Sequence, residues 1–342
     1  LQIGFIDAAT KGKEFDDEHG GVGLARKTGF DLGLGILDYS NEDKKLLISL
    51  DADCTVDTNY LTSIVHSFNR NNLSAGIVNY EHRIDSGDIN TEAIICYEIF
   101  LRYYVLGLIY AESPFAFNTI GSTIVCDHTA YIKAGGMNKR KAGEDFYFLQ
   151  KLAKVFSIPT IYSTTVYPSS RSEVRTPFGT AKRIDDFHSD TEQKYLLYNP
   201  ESFEVLKYWL SLFNSDASLD TYGLMKKVKK INKYLSDFLE SKYFPDQWNK
   251  ILQNCKNEQQ ISYQRKNWFD AFKTLKLIHH LRDNSFQQIN MFEAVNKLFQ
   301  AMNESPVIYD DKAGNPDLNT QKKFLIKLKE IQRKFTRLKI TE

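Results

Sequence analysis

Leu46-Leu47-Ile48-Ser49-Leu50-Asp51-Ala52-Asp53-Cys54 is an apolar run that ends in two carboxylates one residue apart. Residues i and i+2 of a strand share a side, so Asp51 and Asp53 are expected to face one site where the strand leaves its sheet. Ligands of open α/β sheets gather at such carboxyl ends. Hard carboxylate oxygens suit Mg²⁺ or Mn²⁺, which take one or two protein carboxylates together with substrate phosphate oxygens. The pair therefore suggests diphosphate chemistry, with a solvated turn as the plain alternative.

A second acidic pair follows a glycine hinge in Ala142-Gly143-Glu144-Asp145-Phe146-Tyr147-Phe148. Acidic residues at a helix start are favoured by the dipole whatever the function. A carboxylate beside a bound electrophile also serves as a general base toward a hydroxyl nucleophile.

The two motifs and their setting resemble the family 2 glycosyltransferases, enzymes of the nucleotide-diphospho-sugar transferase (GT-A) fold. The resemblance covers roughly residues 20 to 180 and rests on three segments in order. These are Gly23-Leu24-Ala25-Arg26-Lys27, then Leu50-Asp51-Ala52-Asp53 as a D-x-D, then Gly135-Gly136-Met137 followed by Gly143-Glu144-Asp145. It implies an inverting, metal-dependent enzyme of the hexosyltransferase class that moves a sugar from a nucleotide-diphosphate donor to a hydroxyl acceptor (glycan, lipid or small molecule) in glycan or glycoconjugate synthesis. Carried over, Asp51 positions nucleotide and ribose, Asp53 holds the Mn²⁺ or Mg²⁺, Asp145 is the base and Glu144 supports it. The family's usual opening unit, an apolar strand with a Pro-x-Tyr-Asn-like end, is not found ahead of these motifs. Either the chain, which starts at Leu1, begins inside a longer protein or this part diverges.

Several residues are auxiliary candidates. Arg171 and Arg175 lie on a polar loop and could clamp a diphosphate through the guanidinium fork. Arg26 and Lys27 could reach the donor, or simply decorate a helix surface. His128 follows a strand and is a candidate metal ligand, while Asp127 reads as a helix cap. Two further readings stay open. Strand-Asp51-x-Asp53-x-Thr55 also fits a haloacid-dehalogenase-like phosphatase with Asp51 as nucleophile. The other is a non-catalytic nucleotide-sugar-binding scaffold.

The elements that must position these groups alternate through the first half. Helix from Leu24 to about Leu37 feeds the strand at Leu46, then come helix near Asn59 to Phe68, strand Gly76 to Tyr80 and a long helix Thr91 to Tyr110. A strand Gly121 to Cys126, a short helix Thr129 to Ala134, a helix Glu144 to Val155 and a strand Thr160 to Val166 complete it. The expected fold class is α/β, a GT-A-like mixed, mostly parallel sheet flanked by helices. Residues 1–198 are expected as a catalytic domain, N-terminally incomplete, and 199–342 as an α-helical C-terminal region.

The 342 residues carry 44 Lys plus Arg against 43 Asp plus Glu, so no global basic field favours nucleic acid. Four cysteines without C-x-x-C spacing read as reduced, intracellular thiols, and a cytoplasmic location is expected. Glu98 and Arg102 interrupt the apolar stretch Ile94 to Tyr110, which favours a buried or interfacial helix over a bilayer span. The run Lys226-Lys227-Val228-Lys229-Lys230 reads as a solvated helix face, with anionic membrane or acceptor contact, peripheral at the inner face, as its alternative.

Overall fold

The computed structural model of the chain describes residues 3–16, 18, 20–84, 90–169, 195–215, 220–310 and 314–338. It divides into two compact units, Leu1–Asp88 with Phe117–Asp185, and Ile89–Ala116 with Asp186–Glu342.

The first unit is built on a five-stranded mixed sheet. In chain order its elements are α1 (Val22–Ile36), β1 (Leu46–Ile48), β2 (Thr55–Val56), α2 (Tyr60–Arg70) and β3 (Ala75–Tyr80). After the crossing to the other unit and back come β4 (Ile124–Asp127), α4 (His128–Lys133), α5 (Glu144–Val155) and β5 (Thr160–Tyr167). The strand order is β1-β4-β3-β5-β2.

The expectation of a mostly parallel sheet is corrected here. Only β3 and β5 run parallel, whereas β1–β4, β3–β4 and β2–β5 are antiparallel. Alternating strand and helix signals suggest parallel crossovers, but β4 begins beside the middle of β3, with Ile77 opposite Ile124 and Ala75 opposite Cys126. The chain thus leaves and re-enters the sheet at one end, which forces the antiparallel direction.

Side-chain alternation along β1 assigns the two faces. Leu46 and Ile48 pack against the cluster that α2 covers with Tyr60, Ile64 and Phe68. Leu47 points the other way, and a Cβ on Gly33 of α1 would lie 3.6 Å from its Cδ2. On that side Phe30 of α1, Tyr131 of α4 and Phe148 of α5 form an edge-to-face aromatic chain.

Among its described residues the regular structure of the second unit is helical apart from the short pair β6 (Leu196–Leu197) and β7 (Ile289–Asn290). Its helices are α3 (Thr91–Tyr110), α6 (Glu201–Asn214), α7 (Thr221–Ile231), α8 (Lys233–Ser241), α9 (Phe244–Asn254), α10 (Glu258–Trp268), α11 (Ala271–Asn284), α12 (Met291–Ala301) and α13 (Leu318–Leu338). Although α3 is early in the chain, it packs along α13 and against α6. Within it Arg102 donates to Glu98 at 2.9 Å, both side chains are buried, and Arg102 also reaches Gln332 of α13. Among the described residues α3 is the one helix long and apolar enough to cross a membrane, and 72% of that window is buried. A core built of Trp209, Phe213, Phe244, Trp248 and Trp268 holds α6, α9 and α10 together.

Candidate functional site

Both acidic motifs converge at the C-terminal end of β1, and one arginine ties them together. Arg26, in the first turns of α1, donates from Nη2 to Asp51 Oδ1 at 2.6 Å and from Nη1 to Glu144 Oε1. Its side chain is 11% exposed and that of Glu144 4%, so the second pair is buried.

Glycines make this approach feasible. A Cβ on Gly23 would lie 2.2 Å from the Arg140 carbonyl oxygen, and one on Gly21 3.0 Å from Lys141 Cα. The start of α1 can therefore press onto the 138–141 backbone only without side chains there. At Gly121 a Cβ would sit 2.2 Å from Arg26 Nη1, so this glycine provides the space for the guanidinium. Gly143 takes a left-handed conformation, φ 70°, which turns the chain into α5 with Glu144 and Asp145 in its first turn.

Asp145 is partly buried and its Oδ1 accepts the Phe146 N–H at 2.7 Å. Burial pushes its carboxyl above the ordinary range, and the Asp51 charge adds to the rise, against the pull of the Phe146 N–H and Arg26. Glu144 is raised as well, first by burial and then by the neighbouring Asp145, with Arg26 opposing. A carboxylate held in this way is a better proton acceptor than a free one.

Asp53 is exposed beyond a turn closed by the Cys54 N–H on the Asp51 carbonyl, 3.1 Å. Asp51, Asp53 and Cys54 each offer a ligand atom within 4.8 Å of the others. Burial, then the Asp51 and Asp53 charges, hold the Cys54 thiol above its usual pKa. Two of these three donors are hard carboxylates, the ligand type that suits Mg²⁺ or Mn²⁺.

The remaining candidates separate. Lys27 pairs with Asp31 at 2.7 Å, one turn along α1, and Asp31 also accepts from Tyr131. His128 opens α4 at the opposite end of β1, its N–H on the Lys45 carbonyl, outside the Asp51–Asp53–Cys54 group. Its ring lies edge-on to Tyr39, and its buried Nδ1 has no hydrogen-bond partner among the described residues. Asp127 caps α4 through Ala130, 2.7 Å. Arg171 and Arg175 lie outside the described residues.

Two contributors had little sequence signal. Asp57 accepts the Thr165 N–H at 2.8 Å and the Tyr167 hydroxyl at 3.1 Å, which anchors β2 to β5 just past the D-x-D turn. Gly121 has no motif at all, since its importance comes from a residue 95 positions earlier.

No family model, no curated protein and no solved structure matches this chain.

Proposed function

We propose that the chain is a metal-dependent, inverting glycosyltransferase of the GT-A type, using a nucleotide-diphospho-sugar donor and a hydroxyl acceptor. The observation that carries the reading is the Arg26 bridge, which draws a D-x-D carboxylate and a Glu-Asp pair into one site from segments 93 residues apart in sequence.

In this reading Asp53, with Asp51, would hold Mn²⁺ or Mg²⁺, an ion that would supply Lewis-acid stabilisation of the charge on a leaving diphosphate. Asp51 is oriented by Arg26 and positions the nucleotide. Asp145 takes the proton of the acceptor hydroxyl as its oxygen bonds to the anomeric carbon and the carbon–oxygen bond to phosphate breaks. Attack opposite the leaving group inverts the anomeric centre. The Glu144 carboxylate fixes Arg26, and Arg26 fixes Asp51.

The test is transfer and donor hydrolysis with a panel of UDP- and GDP-sugars plus Mn²⁺ or Mg²⁺. Asp145→Asn is expected to cost about 10² to 10⁴ in turnover, and Asp53→Ala to remove the metal dependence. Unchanged turnover in both variants rejects the assignment. An aspartyl-phosphate on Asp51 with simple phosphate esters would establish the phosphatase instead.

A further inference from the structure

The helix α7 carries Lys226, Lys227, Lys229 and Lys230, and Lys233 opens α8 immediately after it. All five are exposed, and none has an ion pair or hydrogen-bond partner among the described residues. At about 100° per residue, Tyr222, Lys226, Lys229 and Lys230 fall on one stripe roughly 100° wide. The opposite stripe, Thr221, Leu224 and Val228, is buried in the second unit. Tyr222 is 78% exposed at the N-terminal end of the basic stripe.

This arrangement works against the helix itself. Lys226 and Lys230 are like charges at i,i+4, and Lys226–Lys229 and Lys227–Lys230 at i,i+3, each unfavourable in isolation. The helix dipole rewards cations only in the last turn, which accounts for Lys229 and Lys230 and not for the others. A surface that concentrates uncompensated charge on one folded face suits an extended anionic partner.

We infer that the α7 stripe is a docking surface for an anionic lipid bilayer. The inference does not rest on the glycosyltransferase reading. Lysine stems lie along a bilayer surface with their ammonium groups among the headgroups, and a tyrosine at the stripe's end has the apolar ring and polar tip that such an interface accommodates. The stripe contains no arginine, the residue whose planar fork suits nucleic-acid phosphates and bases, and a diffuse negative surface needs only point charges.

The experiment is flotation of the full chain with phosphatidylcholine vesicles, with and without about one phosphatidylserine in four. Binding is expected only to the anionic vesicles at about 0.1 M salt, and is expected to fade as salt shortens the Debye length below roughly 10 Å. Each lysine replaced by Gln at positions 226, 229 and 230 is expected to lower partitioning about fivefold. Lys226→Glu with Lys230→Glu is expected to abolish it. Lys256→Glu with Lys266→Glu, an equal charge change at other exposed sites, is expected to leave most binding in place. Circular dichroism of each variant checks that the fold is retained. The inference is overturned by no binding to anionic vesicles, by equal binding to neutral ones, or by equal loss in the two reversal pairs. Single-stranded RNA binding through the same lysines without vesicle binding also overturns it.

Discussion

Arg26 is the residue on which the site's geometry turns. Glu144 is 4% exposed at its side chain, so its charge depends on the guanidinium for compensation. Arg26→Met is expected to destabilise the first unit by about 3 kcal/mol, because an unpaired buried carboxylate remains. Adding Glu144→Gln to that variant should recover most of the loss, and urea unfolding of the two singles and the double measures the coupling. Asp145 behaves differently. Its folded pKa is raised by burial, so the ionised form is disfavoured in the folded protein. The resulting penalty is absent below the unfolded value and complete above the folded one. Asp145→Asn is therefore expected to melt above wild type at about pH 7 and level with it at about pH 3, read by thermal scans at both. A stability gain coupled to lost turnover is the pattern of a group retained for chemistry.

At the scale of elements, close approach decides as much as periodicity. A Cβ on Gly107 of α3 would meet the Phe203 ring of α6 at 2.5 Å. Gly107→Ala is expected to cost about 1 to 3 kcal/mol by overpacking, whereas the same change at Gly29 of α1, which faces open space, should be nearly neutral or slightly stabilising. Differential scanning calorimetry of both variants separates the two cases. Boundaries set by strong local signals were readable from sequence: α3 spans Thr91–Tyr110 and ends where its apolar run does, and the left-handed Gly143 marks the start of α5. Strand direction was not readable, since apolar alternation is the same in a parallel and an antiparallel partner. The two-residue β2 is also too short to carry a pattern, and Asp57, which anchors it, looks like any polar turn residue. The two acidic motifs were legible as candidates, but the pairing through Arg26 and the space at Gly121 depend on contacts between distant segments. Lys27 and His128, equally good by residue type, are drawn to Asp31 and to the far end of β1.

At the scale of the molecule, sequence order and spatial grouping part company at α3. Its buried side packs against α6 and along α13, where Gln321 meets Glu92 and Gln332 meets Arg102. A fragment of residues 1–198 would lack both covers and expose the apolar helix. It is expected to aggregate or to lose helix 91–110 to protease, while the full chain protects it; limited proteolysis with mass mapping is the check. The same contact has a meaning in time. Arg102 and Gln332 are 230 residues apart, and a ribosome adding roughly 5 to 20 residues per second needs about 10 to 45 s to bridge that interval. For that period the nascent chain displays an apolar, twenty-residue helix whose α13 cover has not been synthesised. To any factor that sorts emerging chains by hydrophobic helices, it resembles a membrane segment until the last helix arrives.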